Sequence, residues 1–125
     1  MTFDPNRKLN KSQKVLTAIQ FEKLVSNHKN TNQDHKPVVK FFGGASCTWL
    51  ISELDPETGI AFGLCDLGMG SPELGYVSLY EIMAIRFPPF GLPAERDLYF
   101  EGEHPMSVYA NKAKENGYIV CDLSE

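Results

Sequence analysis

"CTWLISELDPETGIAFGLCDLGMGSPELGYV", residues 47–77, decides the fold. Three apolar runs in it are rich in β-branched and aromatic residues, and two turn signals separate them. "DPETG" combines Asp, Pro and Gly, and "GMGSP" combines Gly, Ser and Pro, each type suited to a turn for its own backbone reason. The runs follow one another with no helix between them. That predicts an antiparallel meander, because parallel strands need a long crossover. Symmetric closure of the first turn sets Trp49 across from Cys65, and symmetric closure of the second sets Asp66 across from Gly75. Upstream, "PVVKFFGG" reads as a further strand.

Helix signals lie on both sides of the meander. Thr17-x-x-Gln20 is a capping box with Leu16 and Phe21 in the staple positions, and Ile19, Leu24 and Val25 continue the apolar stripe. That helix should end near His28, before a polar loop closed by Pro37. Ser78-x-x-Glu81 is a second capping box, opening the short helix "LYEIMAIR". "FPPFGLP", residues 87–93, cannot continue it, and its prolines donate no ladder bonds. "RDLYFE" reads as a strand, "MSVYANKAKEN" as a helix with Pro105 near its start and Gly117 just past its end, and "YIVCDL" as a last strand. The expectation is one α+β domain over residues 15–125. It has an antiparallel sheet of about five strands, with about three helices packed mainly on one face. Residues 1–14, polar and without period, are expected as a flexible basic arm.

The totals bound the function classes. At 125 residues the chain is the size of one domain, and 42% hydrophobic with 22% charged is ordinary globular composition. No run approaches the ~20 apolar residues of a membrane span, and the opening residues carry no apolar signal segment, so a cytoplasmic protein is expected. Cys47, Cys65 and Cys121 form no CxxC pair and read as reduced, buried small hydrophobes. The net charge of −4 is uneven: residues 1–40 carry eight Lys/Arg against three Asp/Glu, and residues 41–125 carry four against thirteen. Arg7, Lys8, Lys11 and Lys14 could therefore meet a nucleic-acid backbone.

Four groups of residues are candidates for a site. Asp66 and Glu73 bracket the glycine turn. With Asp97 they are the residues that could hold a hard divalent cation, the one cofactor the sequence suggests. Both acids also suit plain turn capping. Arg96, between Glu95 and Asp97, reads as an ion-pair strut toward Asp66 or Glu53. Phe87, Phe90 and Leu92 are large apolar side chains in a stretch that cannot be regular structure. Folded inward they complete the core, and projecting outward they mark a partner surface. Trp49, the one tryptophan, either packs in the core or offers a stacking platform in a binding groove. No nucleophile elbow, HExxH or phosphate-binding glycine loop is present, so no catalytic residue is named.

Thr48-Trp49-Leu50, Glu53-Leu54-Asp55-Pro56, Ala61 to Gly68, Pro72 to Leu79, Gly91-Leu92-Pro93 and Glu95-Arg96-Asp97 together resemble the motifs of an uncharacterised family of small bacterial proteins. The motifs are TWLxxELDP, AFGLCDLGxGxPELGYVSL and GLPxERD. "LTAIQ" also resembles the family's opening, with Ile19 where an acid is more typical. The resemblance implies a gene carried on plasmids and other mobile elements, and no activity. Three functions are expected, the first from the resemblance and the other two from the residues themselves. The first is a non-enzymatic accessory protein that binds a protein partner, with inhibition of a host defence system as the specific form. The second is a nucleic-acid binder using the basic arm, and the third a small metal-dependent hydrolase at the Asp66/Glu73 turn.

Overall fold

The computed structural model describes residues 2–123. Its elements are α1 (Ala18–His28), β1 (Val39–Gly43), β2 (Cys47–Leu54), β3 (Ile60–Asp66), β4 (Glu73–Ser78), α2 (Leu79–Ala84), β5 (Glu95–Arg96) and α3 (Met106–Asn116). The strands form one antiparallel sheet in the order β4-β3-β2-β1-β5, an α+β arrangement. Trp49 pairs with Cys65, the register that the "DPETG" turn predicts. The second predicted register is displaced. Gly75 pairs with Gly63, the last pair is Cys65 with Glu73, and Asp66 lies beyond it. The connection is a wide loop rather than a tight turn, with Gly68 and Gly70 both at positive φ. Gly63 has a separate reason to lack a side chain, since a Cβ there would collide with the Leu50 carbonyl of the neighbouring strand.

Alternation along β2 divides the core in two. Trp49 and Ile51 join Phe41, Val39, Leu16, Leu24 and Ile82 on the face that α1 and α2 cover. Leu50 and its cross-strand partner Leu64 join Met106, Tyr109 and Ala113 on the opposite face, which α3 covers. The three helices therefore do not pack mainly on one face, contrary to the expectation from the sequence. Both faces of the central strands are apolar, and each needs a cover.

Thr17 closes its capping box in both directions, at 3.1 Å and 3.0 Å. Ser78 stands at the N-cap of α2 but makes no side-chain bond. Ile19 is 80% exposed, so the apolar stripe of α1 does not include it. The expected strand "RDLYFE" shrinks to Glu95–Arg96 because Asp97 accepts the Tyr99 N–H and turns the chain. "YIVCDL" is irregular; Ile119, Cys121 and Leu123 pack it against the α3 cluster.

The segment expected as a flexible arm is packed into the domain. Phe3 and Leu9 are buried in the core. Gln13 answers the free edge of β5 as another strand would: its Nε2 donates to the Arg96 carbonyl at 2.8 Å and its Oε1 accepts the Arg96 N–H at 2.9 Å. Asn10 donates to the Ala94 carbonyl at 3.1 Å. Two apolar anchors spaced by polar residues have no period, which is why the sequence pattern passed over them. Residues 1, 124 and 125, at the limits of the expected segments, lie outside the described residues.

Candidate functional site

Asp66 ends β3 and is 3% exposed. Its Oδ1 accepts the Gly68 N–H at 2.8 Å, which shapes the glycine loop. Its Oδ2 accepts the Ile119 N–H at 3.1 Å, which ties the segment after α3 to the sheet. Both oxygens thus hold backbone. Glu73 is exposed at the start of β4. Asp97 lies past β5 and pairs with Lys40 at 3.5 Å. Because β2 and β1 separate β3 from β5, Asp66 and Asp97 stand three strand spacings apart, roughly 14 Å. The expected ligand set Asp66, Glu73 and Asp97 does not converge. Among the described residues no three His, Cys, Asp or Glu side chains gather to hold a metal ion. Arg96 reaches neither Asp66 nor Glu53; its Nε donates to the Lys14 carbonyl at 3.2 Å. Burial lowers its guanidinium from the ordinary value.

The strap, residues 87–92, behaves differently. The Phe87 N–H donates to the Leu92 carbonyl at 2.8 Å, and the Leu92 N–H donates back at 3.2 Å, closing a loop around the cis Pro88–Pro89 bond. The Phe87 ring lies against Gly43 and Gly44, where any side chain would strike it. Phe90 is 82% exposed and Leu92 60% exposed. The strap thus divides: Phe87 completes the core, while Phe90 and Leu92 project. Trp49, at 2% exposure, belongs to the core and offers no free stacking face.

Between the strap and residues 8–11 runs a groove of about 750 Å³, its floor and walls including Leu9, Leu92 and Pro93, its charges Lys8, Lys11, Arg86 and Glu95. Two stretches that the sequence keeps far apart, the basic segment and the proline strap, meet here. The four cations expected to act together do not all join it. Arg7 stacks over Tyr80 at 5.4 Å, and Lys14 Nζ donates to Asn6 at 3.1 Å. Arg86 takes their place. It donates to the Met83 and Ile85 carbonyls at 3.1 Å and 2.7 Å, at the end of α2. Its signal in the sequence was a cation just past the end of a helix, where free carbonyls gather.

A second concavity, of about 340 Å³, was missed altogether. The β2–β3 register shifts between Ile51 and Glu53, leaving Ser52 as an extra residue in the ladder. Buried Asn27, near the end of α1, donates to the Ser52 carbonyl at 2.9 Å and secures the bulge. The bulge returns Leu54 to the same face as Ile51 and sets Glu53 beside Phe62. Glu53 is 6% exposed. Burial raises its carboxyl above the ordinary value, with His35 and His28 acting in the other direction. Asp55, also at the cleft, is held below its ordinary value, first by the Glu57 N–H. The one sequence signal was a charge inside a mostly apolar strand, "LISEL".

All three cysteines are free, and burial raises each thiol, which keeps them poor nucleophiles at neutral pH. No helix among the described residues is long and apolar enough to cross a membrane. In comparison with known proteins, the profile of a family described as "Protein of unknown function (DUF2958)" matches residues 15–120. No curated protein and no solved structure matches the chain. The matched stretch takes in the strap, Arg86 and Glu53, and begins after Lys8 and Lys11.

Proposed function

The chain belongs to this family of unknown function, and from that premise we propose that it is a non-enzymatic accessory protein of a mobile genetic element, acting by binding a protein partner. The observation that carries the reading is the strap. Phe90 and Leu92 are held in solvent by a loop that closes on itself, beside a groove with an apolar floor. Large apolar side chains presented this way mark an interface, and an aromatic at its centre is a typical anchor. Lys8, Lys11 and Arg86 suit a partner surface that is apolar with acidic flanks. The mobile-element motifs the chain resembles favour a component of a bacterial host defence system as that partner, blocked by occupation of its surface.

The test is capture of the tagged protein's partners from bacterial host lysate, with and without nuclease, beside a Phe90→Ala/Leu92→Ala variant. A stoichiometric protein that survives nuclease and is lost from the double variant is the expected result. A partner that the double variant retains would remove the strap as the docking surface. The same three cations favour one second reading, nucleic-acid binding. Nucleic acid recovered only without nuclease would put that reading first, if Lys8→Ala/Lys11→Ala weakens binding and lowers its salt dependence.

A further inference from the structure

We infer that the cleft floored by Glu53 is a binding site for an organic cation, an ammonium or guanidinium carried on a short stem. Glu53 is more than nine-tenths buried, and among the described residues its carboxylate has no hydrogen bond and no ion pair. Among the described residues no fully buried side-chain oxygen lacks a partner, so the Glu53 oxygens reach solvent at the cleft, where a largely buried carboxylate favours a cationic partner. Here no group of the protein hydrogen-bonds the carboxylate, His28 and His35 act on it only through space, and it lines an open cleft. The rest of the lining suits a cation. Asp55 adds a second carboxylate, and Phe62 and Tyr76 meet edge to face at 5.3 Å, presenting aromatic surface. Ring faces attract ammonium and guanidinium groups. His28 faces the cleft with its Nε2 3.9 Å from Asp55 and also acts on Glu53 through space, but it hydrogen-bonds neither acid.

The ligand's size follows from the space. About 340 Å³ is at the small end of ligand pockets, enough for one basic side chain or a small free amine. A hard divalent metal is a poor fit, because it takes six or more oxygens, and Glu53, Asp55 and His28, though all line the cleft, do not gather closely enough to hold one. The site is separate from the strap, and neither inference depends on the other.

The experiment uses two probes, agmatine and the blocked amide of N-acetyl-arginine, with N-acetyl-alanine amide in sodium chloride of equal ionic strength as control. Thermal melts and amide NMR titrations are run with each on the wild type, Glu53→Gln and Tyr76→Ala. Expected is a rise in Tm of about 5 °C at ten times the dissociation constant. Shifts should centre on Glu53, Phe62 and Tyr76. Glu53→Gln should fold and lose the response, and Tyr76→Ala, an exposed position, should weaken binding by about 2–5-fold. Binding of both probes points to the basic side chain of a protein; binding of agmatine alone points to a free amine. The inference is overturned if neither probe acts at about 10 mM, well above a millimolar affinity. It is overturned equally if Glu53→Gln responds as the wild type does.

Discussion

Asp66 and Glu53 stand on neighbouring strands and are both almost wholly buried, yet their oxygens are in opposite situations. Asp66 accepts two backbone N–H groups and joins the glycine loop to the segment after α3. Glu53 accepts none and opens onto a cleft. In the sequence Asp66 stands out by its place beside glycines and a second acid, whereas Glu53 reads as part of a strand motif and as a partner for Arg96. The difference teaches that a carboxylate's use follows from where its lone pairs go, not from the motif that surrounds it. A carboxylate filled by amides is a fastening. One that accepts nothing from the protein holds its proton to higher pH and is open to a partner from outside.

The largest effect expected from this contrast is at Asp66. Asp66→Ala leaves two amides without acceptors and should cost about 3 kcal/mol, read from urea denaturation. Asp66→Asn, which keeps one acceptor oxygen, should cost roughly half of that. A neutral Asp66→Ala would break the comparison outright.

Glu53→Gln should act with the opposite sign and a smaller size, raising Tm at neutral pH. The folded state holds the Glu53 proton to higher pH than the unfolded chain does. The wild type therefore loses stability as pH rises above the ordinary glutamate range, and below that range the acid is protonated in both states. The gain from the variant should be near zero at about pH 4 and grow toward pH 8, as thermal melts across that range would show. A gain that does not change with pH would mean that packing, rather than charge, sets the difference.

The smallest effect concerns metals. Millimolar Mg²⁺ or Ca²⁺ should leave Tm unchanged, since the oxygens of Asp66 are engaged and Asp97 is held by Lys40. A rise in Tm that Asp66→Ala removes would restore the metal reading of the glycine turn.

Much of the fold was legible because its signals are local. The Thr17 box, the "DPETG" turn and the β2–β3 register each depend on residues close together in the chain, and the structure carries all three. The Ser78 box has the same spelling as the Thr17 box and no side-chain bond, so the motif alone did not decide capping. The site was less legible. Phe90 and Leu92 were named, but Lys8 and Lys11 join them only because Phe3 and Leu9 bury themselves and carry the first residues onto the sheet.

By itself the sequence determined an antiparallel meander, the helix positions and a strap that cannot be regular, because turn chemistry, periodicity and missing N–H groups act within a few residues. Only the tertiary structure decided which faces the helices cover, that the basic segment lies along the strap, and that Asp66 accepts two hydrogen bonds while Glu53 accepts none. Those outcomes turn on which distant backbone and side-chain groups are brought within bonding distance, and burial makes a missing partner matter.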